Sequence, residues 1–151
     1  MEEKDKITDH DEPLYTIGTV AEILNVSVQT LRAYERERLI IPFKKASHHR
    51  LYSMNDIERL RCIRRSITER KFSIPALKNM YALIPCWDIK PCTVKEQEEC
   101  EAYNSSLQPC WSFTQKVDGC NNQDCRTCNV YKNFINCEQI KNSIKNISRK
   151  K

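Results

Sequence analysis

Apolar residues recur at helical spacing through the first half of the chain, and beyond it that rhythm breaks down. Ile17, Val20, Ala21 and Leu24 share one face of a helix that Thr16 can cap. Asn25 stands where that helix must stop, and Asn tolerates the left-handed backbone a stop requires. Ser27 is placed to cap a second helix, Val28 to about Arg38, with Leu31 and Tyr34 facing inward. After Leu39-Ile40-Ile41-Pro42 the helical period vanishes, and Phe43 to Tyr52 reads as a short hairpin with a basic tip. Ser53 and Asp56 have the spacing of a capping box for a third helix. That helix would bury Ile57, Leu60, Ile63 and Ile67, leaving Arg59, Arg61, Arg64 and Arg65 on a solvated face. Its Cys62 reads as a small, partly buried residue. Ser73 caps a fourth helix with Pro75 in its first turn and Ile74, Leu77, Tyr81 and Ile84 as its stripe.

Two short helices joined by a tight turn and followed by a hairpin predict a mostly α, winged helix-turn-helix unit over residues 15–84. Charge supports a polyanionic partner. The chain of 151 residues has a formal charge of +5, but residues 15–84 hold 13 basic and 6 acidic side chains, while residues 1–14 hold 2 and 6. The acidic residues 1–14 read as a disordered tail. Candidate DNA contacts are Gln29, Thr30 and Arg32 on the second helix, with Lys44, Lys45 and Arg50 in the wing. A wing lying on DNA accounts for His48 and His49 without a metal.

The run from Tyr15 to Ile40, with Thr16-Ile17-Gly18-Thr19-Val20-Ala21 and Val28-Gln29-Thr30-Leu31-Arg32-Ala33-Tyr34, resembles the opening of the MerR family of transcriptional regulators. Arg50-Leu51-Tyr52-Ser53 and Asp56-Ile57-Glu58-Arg59-Leu60 are similar to that family's wing exit and third helix. The resemblance implies a homodimer that binds a two-fold-related operator and distorts the promoter so that RNA polymerase can engage it. It places Gln29, Thr30 and Arg32 in the recognition helix, Ser27 as its cap, and Arg50 and Tyr52 among the wing's backbone contacts; Ser27, Tyr52 and Thr16, at the start of the first helix, are counted with the candidate DNA contacts. The chain departs from the family in four places. Ala33 replaces a frequent aromatic, and Arg38 and His48 stand where Gly is common. Finally, Pro85-Cys86-Trp87 follows Ile84, where the family continues into a long dimerisation helix.

Eight of the 9 cysteines fall in residues 85–137, at positions 86, 92, 100, 110, 120, 125, 128 and 137. Pro85-Cys86-Trp87 is echoed by Pro109-Cys110-Trp111, and Cys100-Glu101-Ala102-Tyr103 by Cys128-Asn129-Val130-Tyr131. This resembles paired Cys-Trp modules known as two-CW domains. Disulfides are disfavoured in the reducing cytosol expected of a chain with no secretory signal and a DNA-binding unit. Residues so polar cannot use eight cysteines as a core. Thiolate ligation of a metal by Cys86, Cys92, Cys100, Cys110, Cys120, Cys125, Cys128 and Cys137 remains, and it would stabilise a segment poor in aliphatic residues. The indoles of Trp87 and Trp111 could shield such a site. Cys125-x-x-Cys128 is a generic knuckle, and Cys120, Cys125, Cys128 and Cys137 follow the order of plant-ferredoxin spacings with a shorter last gap. The repeat instead groups Cys86, Cys92 and Cys100 with Cys110, Cys120, Cys125 and Cys128. An all-thiolate set suits an iron–sulfur cluster or zinc, and a cluster would serve a regulator as redox input.

Residues 138–151 are basic, with Ile140, Ile144 and Ile147 spaced for a short helix. With Gly numbering 2 and no apolar run of about 18 residues, phosphate-cradling loops and membrane spans are not expected. The expected protein is a cytoplasmic transcription regulator and not an enzyme, with a thiolate centre sensing redox state or metal. The alternatives are a DNA-binding protein with a structural zinc or interaction module, and a redox electron-transfer module.

Overall fold

Each helix start offered by the sequence is used. The computed structural model describes residues 9–113, 120 and 124–149. Thr16 Oγ1 accepts the Thr19 N–H at 3.3 Å to open α1 (Ile17–Leu24), and Ser27 Oγ accepts the Thr30 N–H at 3.1 Å to open α2 (Val28–Arg36). Asn25, at φ 53°, turns the chain between them. Ser53 and Asp56 form a reciprocal capping box, at 3.1 and 2.8 Å, at the head of α3 (Met54–Thr68). Ser73 caps α4 (Ile74–Ala82).

The hairpin forms as strands β2 (Phe43–Lys44) and β3 (Arg50–Tyr52). A third strand, β1 (Tyr15–Thr16), pairs with the other edge of β3 to give the antiparallel order β1-β3-β2, with Tyr15 opposite Tyr52 and Phe43 opposite Leu51. Two residues are too few for strand alternation to be read in sequence.

Arg38 and His48, which occupy positions where the resembling family has Gly, adopt φ 59° and 63°. Around Arg38 the Arg38 N–H reaches Glu35 O at 2.9 Å and the Leu39 N–H reaches Tyr34 O at 3.0 Å, a Schellman closure of α2. His48 closes the wing turn, its N–H on Lys45 O at 2.9 Å. A side chain in this region costs about 1–2 kcal/mol, partly offset by the freedom glycine loses on folding. His48→Gly is therefore expected to raise unfolding stability by about 0.5–1 kcal/mol, seen as a higher urea midpoint. A lowered midpoint would mean that the exposed imidazole makes contacts worth more than the strain.

Among its described residues the second half holds short helices α5 (Cys86–Ile89), α6 (Val94–Glu99), α7 (Glu101–Asn104) and α8 (Asn129–Lys132), 3-10 turns at Cys110–Ser112 and Cys125–Thr127, and α9 (Cys137–Arg149). Its scarcity of aliphatic residues is met by packing onto the first half. Trp111, Val130, Tyr131, Phe134 and Ile140 join Leu31, Leu39, Tyr52, Leu60 and Tyr81 in one buried cluster. Burying side chains of this size contributes roughly 1.5–3 kcal/mol each.

Two expectations change as a result. Arg59, assigned to a solvated face, is only 2% exposed, because α8 covers that side of α3. Part of the acidic segment is docked instead of disordered. The Leu14 N–H bonds Tyr52 O and the Asn55 N–H bonds His10 O, both at 3.0 Å, while residues 1–8 lie outside the described ones. Among the described residues no helix is long and apolar enough to cross a membrane.

Candidate nucleic-acid interface and thiol-lined cavity

On α2, the pattern that buries Leu31 and Tyr34 leaves Gln29 and Arg32 exposed, with Thr30 half-buried and its Oγ1 2.9 Å from Ser27 Oγ. The wing tip from Lys44 to His49 is exposed. Glu35 binds the wing to this helix: Arg50 Nε donates to its Oε2 at 2.5 Å and Lys44 Nζ lies 3.7 Å from Oε1. The hydrogen bond and charge of Glu35 raise the Arg50 pKa further, keeping the cation fixed. Arg50 thus supports the geometry of the wing as well as its charge. Sequence reading missed Glu35, since nothing local marks an acidic residue as the partner of a strand 15 positions away.

Tyr52 corrects one assignment. Its ring is 0% exposed, and burial with nearby Glu35 pushes its hydroxyl up to about 12. A side chain so placed cannot touch a duplex. It anchors β3 from inside, opposite Tyr15 of β1 and within the buried cluster. Thr16 and Ser27 act as helix caps, which fixes the ends of both helices.

The cysteines converge. Cys86, Cys92 and Cys100 from the first repeat and Cys110, Cys120, Cys125 and Cys128 from the second line one cavity of about 70 Å³. They are thiols, not disulfides. The side chain of Cys137, at the start of α9, lies outside the described residues. The repeat is structural as well as sequential. Cys100 and Cys128 each sit at the head of a four-residue helix. Trp87 meets Tyr103 edge-on at 5.4 Å, as Trp111 meets Tyr131 at 5.2 Å. Trp111 lines the cavity and is 1% exposed, whereas Trp87 is 37% exposed and does not shield it. Burial, reinforced by Cys100, Cys92 and Cys120, pushes the Cys86 thiol up to about 11, so thiols of both repeats act on one another.

The donor set fits a soft metal: residues 85–137 contain no His, and the seven facing groups are all thiols. Among the described residues no three of these side chains are spaced to close on a single ion.

The same module is bolted to the segment between recognition helix and wing. Trp111 Nε1 donates to Arg38 O at 2.7 Å, and the Ile41 N–H donates to Tyr131 Oη at 2.9 Å. Arg126 donates through Nη1 to Ile41 O at 2.5 Å and through Nη2 to Asp56 Oδ2 at 2.6 Å. The Arg59 guanidinium stacks 3.8 Å over the Tyr131 ring and Nη2 donates to Tyr131 O. Trp111 follows Cys110, Arg126 follows Cys125, and Tyr131 lies one helical turn past Cys128. Arg59 and Arg126 were absent from the sequence-derived site. The cue available was position: Arg126 lies inside the Cys-x-x-Cys knuckle.

Comparison with known proteins agrees with the first half. Residues 15–83 match the family described as MerR HTH family regulatory protein, and they form a MerR-family helix-turn-helix domain. The chain is similar to the heat shock protein HspR of Streptomyces coelicolor, 33% identical over 73 residues, 48% of each chain. It is also similar to the HTH-type transcriptional regulators GlnR of Bacillus cereus and TnrA of Bacillus subtilis. GlnR is 35% identical over 48 residues (32% of this chain, 37% of GlnR), and TnrA is 40% identical over 50 (33% and 46%). The matches span about half or less of the length of these relatives.

Proposed function

We propose that the protein is a cytoplasmic, MerR-type transcription regulator that binds a two-fold-related promoter operator as a homodimer. In this reading a thiolate-held metal or iron–sulfur centre in the second half sets how it binds. Gln29 and Arg32 read base edges in the major groove, Thr30 and Ser27 fix the helix end at the backbone, and Lys44, Lys45 and Arg50 bring the wing to phosphates. RNA polymerase is the partner at the promoter. The exposed Ile144 of α9, 43% accessible, offers pairing subunits an apolar contact.

One observation carries the regulatory part of the reading. The residues that hold Arg38 and Ile41, the two ends of the link between recognition helix and wing, are neighbours in sequence of cavity cysteines. When a cation is bound, Cys86, Cys92, Cys100, Cys110, Cys120, Cys125 and Cys128 would hold it, and the centre would supply a fixed charge and cross-links between the repeats. The chain's own side chains do the rest. Trp111, Arg126 and Tyr131 fix the angle between α2 and the wing, which decides whether both can reach the duplex together.

Selection of full-length protein against random duplexes, followed by titration of the recovered sequence, tests the DNA-binding part. Arg32→Ala should weaken binding to the selected duplex about 10- to 100-fold, equivalent to roughly 1–3 kcal/mol, and relax sequence preference. Absence of any enriched duplex would refute it. Repeating the titration after complete chelation tests the sensor part: affinity or footprint should change. Identical binding with and without metal would leave the thiol cavity a structural feature only.

A further inference from the structure

We propose that the space between the head of α3 and α8 is a binding site for one small monovalent anion, a halide or a simple carboxylate, held by Arg59. It is separate from the thiol-lined cavity and stands whether or not that cavity holds a metal.

Charge balance is the first observation. Among the described residues this cavity of about 80 Å³ is lined by two carboxylates, Asp11 and Asp56, and three cations, Arg59, Arg126 and Lys132. Both carboxylates are already committed. Asp56 Oδ2 accepts Arg126 Nη2 at 2.6 Å, and Asp11 Oδ2 lies 3.2 Å from Lys132 Nζ. Asp11 Oδ1 also accepts the Asn55 side-chain amide at 2.8 Å. Arg59 is left over, and it is the most deeply buried of the three cations. Buried charges are ordinarily paired, because an isolated one loses its hydration without compensation.

The second observation is a missing acceptor. Arg59 Nη2 donates to Tyr131 O and the guanidinium stacks on the Tyr131 ring, but Nη1 is buried with no partner among the described residues. Tyr131 is not the counter-charge. Burial raises the pKa of its hydroxyl, which stays neutral and already accepts the Ile41 N–H. The surplus of one positive charge sets the valence of the ligand at one. The space holds a few water-sized groups, enough for a halide or a carboxylate head and too little for a nucleotide. Exposed Thr127 and half-buried Lys132 place its opening beside α8. Occupancy reaches beyond the cavity: the anion fixes Arg59 against Tyr131, and Tyr131 holds Ile41 in the link between α2 and the wing.

The test follows the chlorine NMR linewidth of chloride in the presence of full-length protein, then its narrowing as sodium formate is added. Expected is a saturable broadening that formate displaces. Arg59→Met, similar in length and uncharged, should lower the displaceable broadening at least several-fold. Arg61→Met, on the exposed side of α3 and outside this cavity, should leave it unchanged. Lys132→Met, at a partly exposed position, should weaken chloride several-fold and gives the same reading should Arg59→Met not fold. Urea unfolding is the second readout: chloride should raise the midpoint of the native chain saturably, and that of Arg59→Met by less. Absence of broadening would overturn the site. Broadening that formate leaves in place, or that survives in both the Arg59 and Lys132 variants, would mean ions held loosely at the basic surface and would overturn it equally. None of these outcomes bears on DNA binding or on the thiol cavity, so the two readings fail separately.

Discussion

Replacing Trp111 by alanine is expected to destabilise the protein by about 3–5 kcal/mol, the usual cost of emptying a large buried aromatic site. The indole is fully enclosed, meets Tyr131 edge-on at 5.2 Å and Tyr81 at 5.7 Å, and donates to Arg38 O at 2.7 Å. Alanine leaves a void between the two halves and an unsatisfied carbonyl at the end of the recognition helix. Trp87 is the matched control. It occupies the equivalent place in the first repeat with a similar edge-on tyrosine, but faces solvent. Trp87→Ala should cost about 1 kcal/mol, in line with a partly exposed aromatic pair. Urea unfolding followed by circular dichroism measures both. Equal midpoints for the two variants would contradict the burial of Trp111 at the joint between the halves.

Arg126→Ala is expected to be nearly as damaging, at about 3–5 kcal/mol, because it strands a buried carboxylate. The Arg126 and Asp56 side chains are 12% and 5% exposed, and Asp56 also accepts the Ser53 N–H in the α3 capping box. Removal of the guanidinium leaves Asp56 without a counter-charge and Ile41 O without its donor. The companion variant Arg126→Met with Asp56→Asn removes the stranded charge while keeping volume and a capping acceptor. It should recover at least half of the loss, which a double-mutant cycle reads directly. Additive losses would mean that the two side chains do not interact. Since Ile41 belongs to the link between α2 and the wing, Arg126→Ala should also weaken DNA binding beyond what its unfolded fraction explains.

Much of the first half was legible in the sequence for a local reason. Thr16, Ser27, Ser53 and Ser73 cap helices through hydrogen bonds to residues three positions on, and the apolar stripes repeat within a single turn. Such signals survive in a linear reading because both partners lie within it. The same holds for Arg38 and His48, where a missing glycine marked a backbone angle that the structure contains. The role of Arg59 was misread because α3 was treated as having one buried face, while α8 covers a second. Tyr52 was misplaced because the motif assigns a strand to DNA without saying which side of it looks inward.

The order of cysteines and the doubled Pro-Cys-Trp pattern were enough to mark a cysteine-rich segment with an internal repeat, whose thiols line one cavity, and the caps and stripes were enough to define a helix-turn-helix with a wing. What tertiary structure alone decided is that the two are not independent. Trp111, Arg126 and Tyr131 reach partners some 70 to 90 positions away, at Arg38, Ile41, Asp56 and Arg59. Contacts of that range depend on chain closure and on which apolar surfaces remain uncovered once local structure has formed, and neither is written in any short window of residues.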